Sequence, residues 1–366
     1  MAANAILETL NALQAMKEDD LLQAGKMSEE KITIADPPRS WIHRVENDFI
    51  LGYDIDTPAL WDAYVRGENI LLVGDTSTGK SSLAYHLLDE ANEPVRVKNR
   101  ETYKKNLVKL KKGCKVENLL PYTPIPYEVS YLACGINTRI ESVIGTLKFQ
   151  ATEQGRMPYI VYGALIDAWV NGKTLIIDEM DLAPAELWGE VHQFLDGRTT
   201  DTIIHVNGPE HIHKDPRFRV IATANTFGNG ENQMDFAGTQ LLNTAFLNRF
   251  TYKIELNYLK PEKEVEAIML RNSAAFEDAV KSMVDVANKV RTSKKQGVLT
   301  RGLSTRVLLA WTRECLAREK RLAGKAGNVR INLTRYWHDV VIPSAQNTYL
   351  VGNPDADVVK SYLEIL

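Results

Sequence analysis

Gly74-Asp75-Thr76-Ser77-Thr78-Gly79-Lys80-Ser81 follows an apolar run at residues 69–73 and opens a stretch with helical periodicity at 81–90. The spacing is G-x-x-x-x-G-K-[ST], and a strand before it with a helix behind it is the setting that motif requires. The glycines let the chain turn tightly, so that successive N–H groups point at one place. The start of the helix adds the positive end of its dipole. Such a turn is a cradle for phosphate. Residues Gly74, Asp75, Thr76, Ser77, Thr78, Gly79, Lys80, Ser81 and Ser82 are therefore expected to bind a nucleotide. Lys80 would reach the β- and γ-phosphates, and the Ser81 hydroxyl would ligate Mg2+.

A P-loop needs an acidic partner for its metal, and Thr174-Leu175-Ile176-Ile177-Asp178-Glu179 supplies one. A short buried strand delivers two carboxylates at its C-terminal end, where α/β proteins bind ligands. Asp178 is expected to hold Mg2+ through water, and Glu179 to orient and activate the attacking water. Asp181 either supports this site or caps the turn at Pro184. The run Phe218-Arg219-Val220-Ile221-Ala222-Thr223-Ala224 is another core strand. At its tip, Asn225 either reaches the γ-phosphate or lytic water or is a satisfied turn residue. Arg249 sits between a helix and a strand, as an arginine finger would, to meet charge developing on the transferred phosphoryl group. Acting in trans, it makes the active enzyme an oligomer. Arg306, in Gly302-Leu303-Ser304-Thr305-Arg306, opens a helix and would sense the γ-phosphate from the opposite side. For either arginine alone, a surface ion pair is the alternative reading.

Working outward, apolar runs at 69–73, 174–178, 218–224 and 251–256 alternate with helical stretches at 81–90, 184–195 and 241–248. That alternation predicts an α/β fold, a P-loop NTPase parallel sheet flanked by helices. From Pro261 the strands stop, and 265–271, 276–290 and 305–320 read as helices, a smaller all-helical lid. Ile6, Leu7, Leu10, Leu13 and Met16 recur at helical spacing ahead of Pro37-Pro38. The expected divisions are an N-terminal helical arm over 1–40, a core over 41–259, a lid over 260–320 and a C-terminal extension over 321–366.

The order of these motifs resembles the AAA+ superfamily, and within it the MoxR group with its CbbQ, NorQ and CobS-type ATPases. The likeness to CobS is carried by Ala222-Thr223-Ala224-Asn225-Thr226-Phe227-Gly228-Asn229-Gly230, Gly238-Thr239-Gln240-Leu241-Leu242-Asn243 and Leu256-Asn257-Tyr258-Leu259. The resemblance implies ATP as the nucleotide and a homo-oligomeric, hexameric ring with the nucleotide between subunits. It also implies two hairpins facing a pore or client. These are matched by 147–162, with Gly155 and Pro158 as turn residues, and by 199–206 with its turn Asn207-Gly208-Pro209. A protein client, and a partner subunit with a von Willebrand A domain, follow from the same likeness. About 35 residues, at 92–126, are inserted relative to the CobS pattern.

The insertion is basic, with Arg96, Lys98, Arg100, Lys104, Lys105, Lys109, Lys111, Lys112 and Lys115 against Glu101. It reads as a solvated helix or loop, or as a surface for nucleic acid or an acidic protein face. The alternative function is accordingly a nucleic-acid-directed motor of restriction or phage type. His205, His211 and His213 lack zinc spacing and read as a polar hairpin face. Trp188 and Phe194 read as core or subunit packing rather than a cofactor box. Elsewhere the chain is ordinary: 366 residues, 44% apolar, 25% charged and a net charge of -3. That charge argues against a whole-chain attraction to nucleic acid. Three cysteines without a C-x-x-C pair argue against a disulfide framework. No apolar run reaches the roughly 18 residues of a membrane span, and there is no signal-peptide pattern. A cytoplasmic protein away from the membrane is expected.

Overall fold

The computed structural model describes residues 37–44, 55–152, 155–206, 208–226, 242–326, 330 and 332–364. The expected N-terminal arm falls outside them up to residue 36, as do Phe227–Gly230 and Gly238–Leu241 of the CobS-like stretch.

Helix α1 (Thr57–Val65) leads into strand β1 (Ile70–Val73), the P-loop and helix α2 (Lys80–Lys111). Strand β2 (Val129–Ala133) follows, then the hairpin β3 (Gly145–Thr152) and β4 (Gly155–Tyr162), and helix α3 (Ala164–Asn171). Next come β5 (Thr174–Asp178), α4 (Ala185–Val191), a second hairpin of β6 (Asp201–His205) and β7 (Pro209–His213), β8 (Arg219–Ala224) and β9 (Tyr252–Glu255). The five-stranded sheet has the order β2-β5-β8-β1-β9, all parallel. Its apolar runs are continuous because both faces are covered. Leu71, Val73, Leu175, Ile177, Val220 and Ala222 pack with Trp169, Trp188 and Phe194 on one face. Ile70, Leu72, Ile176, Ile221 and Ile254 pack with Leu60, Trp61, Leu83 and Leu87 on the other. Each fully buried aliphatic side chain contributes about 1.5–3 kcal/mol. Trp188 and Phe194 are core, as read from the sequence.

Sequence reading found four strands and missed β2. That strand is at the sheet edge, alternates in burial and carries Ser130 and Tyr131 within an otherwise apolar stretch, so its signal is weak. The expected helix at 241–248 is shorter among the described residues, Thr244–Leu247. Pro158, expected in a turn, lies within β4 and pairs with Phe149 across the hairpin. A proline fits there because a two-stranded hairpin leaves outward N–H positions unpaired. His211 and His213 flank the buried Ile212 on β7 and are exposed, with His213 hydrogen-bonded to Asp201.

The larger correction concerns the insertion. The helix after the P-loop does not end near Glu90. It runs 32 residues to Lys111, straight through Pro94. A proline removes one N–H and crowds the previous turn, so something must hold the helix across it. Two devices do. Arg96 reaches back over the proline to the Asp89 carboxylate at 2.7 Å and its carbonyl at 3.2 Å. Beyond it, Asn92, Asn99 and Asn106 recur every seventh residue on one buried stripe. Each amide bonds both backbone groups of one residue in the returning segment: Tyr127 (2.8 and 3.0 Å), Thr123 (2.8 and 3.0 Å) and Leu120 (2.9 and 2.8 Å). Side-chain amides thus replace a neighbouring strand for this strap, which Trp41, Val95, Tyr122 and Ile125 seal with apolar contacts. The opposite face of the helix exposes Lys98, Lys104, Lys105 and Lys111. Asn92→Ala should cost about 1–3 kcal/mol, since it strands a buried N–H and C=O of Tyr127. Urea unfolding beside an exposed control, Lys104→Ala, would measure it; equal midpoints would mean the amide clip holds nothing.

After β9, α5 (Pro261–Arg271), α6 (Glu277–Lys295) and α7 (Thr305–Ala326) form the helical region. The division expected at residue 320 falls inside α7. Tyr336, Trp337, Val340 and Leu350 share one apolar cluster with Ile268, Met283, Val290 and Trp311, as do Val359 and Leu363 on α8 (Ala356–Leu363).

Candidate functional site

The parallel register brings all five strand ends to one edge of the sheet. Val73 pairs with Ala224 and Glu255, and Asp178 with Ala133. The P-loop, Asp178-Glu179 and Asn225 therefore start from neighbouring points. The loop is wound tightly. Ser77 (φ 62°) and Glu179 (φ 55°) are the non-glycine residues with positive φ among the described residues, and both lie here. Such conformations cost of order 1–3 kcal/mol each and persist where the surroundings over-determine them. Gly74 admits nothing larger, because a Cβ there would sit 2.2 Å from the Leu256 carbonyl oxygen.

Lys80, buried at the start of α2, donates to the carbonyls of Gly74 (2.7 Å) and Asp75 (3.0 Å) and to Asn225 Oδ1 (3.0 Å). Burial pushes its ammonium down, against the pull of Asp181, Asp178, Asp75 and Glu179. Asp178 Oδ1 accepts from Ser81 Oγ (2.7 Å) and Thr223 Oγ1 (2.6 Å), and its Oδ2 from Tyr131 OH (2.7 Å). Burial alone would raise this carboxyl, but the three hydroxyls and the Lys80 charge outweigh it and hold the group below its ordinary value. Thr223 Oγ1 also accepts from Glu179 N at 2.9 Å, so one buried hydroxyl fixes both acidic residues. Asp181 does not cap the turn at Pro184. Its Oδ2 accepts from the backbone N–H of Asn225 (2.8 Å) and Thr226 (3.2 Å), which anchors the tip of β8. Burial raises its carboxyl, and those N–H groups and Lys80 offset part of the rise.

Residues 76–82, Asp178, Glu179 and Asn225 line one cleft, closed from the helical side by Arg271, Thr305 and Arg306. Arg249 does not line it; its Nη1 donates to the Ala245 carbonyl at 2.6 Å. The donor set suits a nucleotide with its metal: a lysine and a helix N-terminus for phosphate, and a hydroxyl beside a carboxylate for Mg2+. Ser77 Oγ, buried and without a partner among the described residues, adds a hydroxyl inside the cradle.

Residues 115–242 match the family model described as AAA domain (dynein-related subfamily), and residues 264–317 match CbbQ/NirQ/NorQ C-terminal. Aerobic cobaltochelatase subunit CobS from Sinorhizobium sp is 29% identical over 153 residues, 41% of this chain and 46% of CobS. These matches support a MoxR-type AAA+ protein.

The matched stretch is thus less than half the length of CobS. An uncharacterised protein of Staphylococcus epidermidis is 26% identical over 234 residues, 64% of this chain and 72% of that protein. The RuvB Holliday junction branch migration motor of Thermotoga maritima is similar over 79% of this chain and 65% of that chain, at 14% identity and a TM-score of 0.43. The AAA+ match begins beyond the P-loop, which the long α2 separates from it. AAA+ membership implies nucleotide binding and ATPase chemistry, and such proteins typically form rings. Among the described residues, no helix is long and apolar enough to cross a membrane and no His, Cys, Asp and Glu cluster could hold a metal by itself.

Sequence reading of this AAA+ chain overlooked Thr223, Tyr131 and Arg271. Thr223 left a trace, a hydroxyl inside an apolar strand between Ala222 and Ala224. Tyr131 left none, because it meets Asp178 only through strand pairing.

Proposed function

We propose that this chain is a Mg-dependent ATPase that hydrolyses ATP to ADP and phosphate in a ring and spends that cycle remodelling or activating a protein client. The observation that carries the reading is the hydroxyl-bridged set at the strand ends. Ser81, Thr223 and Tyr131 hold Asp178 ionised beside Glu179, and Arg306 lines the same cleft from the lid. In this reading Lys80 neutralises phosphate charge, and Ser81 with Asp178 holds the metal, which when bound screens the phosphates. Glu179 takes the proton of the attacking water, and Asn225, held by Asp181 and Lys80, positions that water. Arg306 senses the γ-phosphate. Arg249 lies outside its own cleft, as a residue supplied to a neighbouring subunit's site would, and this supports an oligomeric, hexameric assembly. The likeness to CobS over part of its length supports a partner subunit, including one with a von Willebrand A domain.

The test is nucleotide turnover by wild type and Arg249→Ala, with the mass of each measured with and without ATP. Wild type should turn over as an oligomer. Arg249→Ala should still bind ATP and assemble while losing about 10³-fold or more in rate. Monomeric turnover unaffected by Arg249→Ala would remove the ring. A nucleic-acid-directed motor is the second reading, favoured by the lysine stripe on α2 alone. Stimulation of turnover by DNA or RNA would select it.

A further inference from the structure

The segment between β9 and α5 is pressed against the root of the P-loop. Leu256 N donates to Val73 O at 2.6 Å, and the Leu256 carbonyl packs where a Gly74 side chain would be. Two residues on, the Tyr258 hydroxyl donates to the carbonyl oxygen of Thr76, at the crown of the P-loop, at 3.3 Å. Its ring meets the Arg291 guanidinium, whose carbon is 3.8 Å from the ring centroid.

Arg291 belongs to α6 and is itself held on all sides. Its two terminal nitrogens fork onto Glu264 of α5, each at 2.7 Å. Its Nε donates to the Leu303 carbonyl at 2.7 Å. Glu264 is wholly buried, and its Oε1 also accepts from Thr305 Oγ1 at 2.6 Å. Thr305 is the first residue of α7, and Arg306 is the next. The P-loop crown is therefore joined to the lid arginine by one line of contacts: Thr76, Tyr258, Arg291, Glu264, Thr305, Arg306. A planar, bidentate, desolvated pair has little freedom to yield, so displacement at one end is passed on rather than absorbed.

We propose that Tyr258, through Arg291 and Glu264, is a positioning residue that sets where Arg306 stands and makes its grip on the terminal phosphate depend on the shape of the P-loop. The proposal rests on the nucleotide-site reading above. It explains why a tyrosine hydroxyl is spent on a P-loop carbonyl although the cleft itself does not contain Tyr258. Helix α6 touches the P-loop a second time, through Lys294 and Asp75 at 3.9 Å, a contact that does not involve Tyr258.

The experiment compares wild type, Tyr258→Phe, Arg306→Ala and the double variant as full chains. The readout is the ratio of affinities for a non-hydrolysable ATP analogue and ADP, with thermal stability alongside. Tyr258→Phe keeps the ring under Arg291 and loses only the hydroxyl. It should lower the preference for the triphosphate about threefold, the size of one hydrogen bond, without loss of stability. Arg306→Ala should lower it about tenfold or more. If Tyr258 acts through Arg306, the double variant falls no further than Arg306→Ala alone. Tyr258→Phe indistinguishable from wild type, or two losses that multiply, would overturn the proposal. A merely structural tyrosine predicts the first of those outcomes. The underlying reading has its own control, since Lys80→Ala should lose both nucleotides. If wild type binds neither, the nucleotide site and the coupling fall together; if wild type binds both and the losses multiply, only the coupling falls.

Discussion

Glu179→Gln is expected to lower ATP turnover by about 10²–10⁴-fold while leaving ATP bound. The reason lies in how the residue is held. Glu179 follows the last residue of β5 in a left-handed conformation, φ 55° and ψ 47°. Its N–H is tied to Thr223, whose hydroxyl is tied to Asp178. The strained backbone turns the Glu179 side chain into the cleft, beside the carboxylate expected to hold the metal. Glutamine keeps the shape and cannot take a proton. Phosphate release and equilibrium nucleotide binding, measured on the same preparation, separate the two effects. Turnover within about threefold of wild type would remove Glu179 as the base. Loss of binding together with turnover would mean that the substitution had disturbed the fold of the site.

The largest effect on stability is expected at Asp89. Asp89 and Arg96 are 1% and 2% exposed and 2.7 Å apart, and Arg96 Nε also donates to the Ser40 carbonyl at 2.8 Å. Taking the Asp89 carboxylate away leaves the Arg96 guanidinium desolvated without its counter-charge. Asp89→Ala should therefore destabilise the protein by about 3–5 kcal/mol. Replacing both residues with apolar ones of similar volume should cost much less, because nothing charged is then left inside. Denaturant unfolding followed by the tryptophan signal would measure both. A cost under about 1 kcal/mol for Asp89→Ala alone would show that water reaches Arg96.

The contrast between these two sites explains what the sequence made legible. The P-loop, Asp178-Glu179 and Asn225 each lie within a few residues of a strand end, so local order is enough to find them. Arg306 was found for the same reason, at the start of a helix. The support around them came from elsewhere in the chain. Tyr131 reaches Asp178 from a neighbouring edge strand, Asp181 reaches back to Asn225, and Arg271 arrives from α5. Only folding makes these residues neighbours. The helix α2 was misjudged because its buried stripe is polar. Asn92, Arg96, Asn99 and Asn106 give no apolar periodicity, and Pro94 falls where a helix would be expected to end. Their burial makes sense once the strap is seen to supply hydrogen-bond partners.

The unbroken α2 has a mechanical consequence. At 1.5 Å per residue its 32 residues span about 48 Å, with Lys80 and Ser81 at the near end. A rod of that length converts a tilt of about 5° at the P-loop into a sweep of about 4 Å at its far end. The asparagine rungs and the ion pair across Pro94 keep the shaft from flexing where it is weakest. The same strap returns to β2, whose Tyr131 grips Asp178, so both ends of the excursion are anchored at the candidate nucleotide cleft. Of the lysines on the outer face, Lys111 then stands at the point of greatest travel.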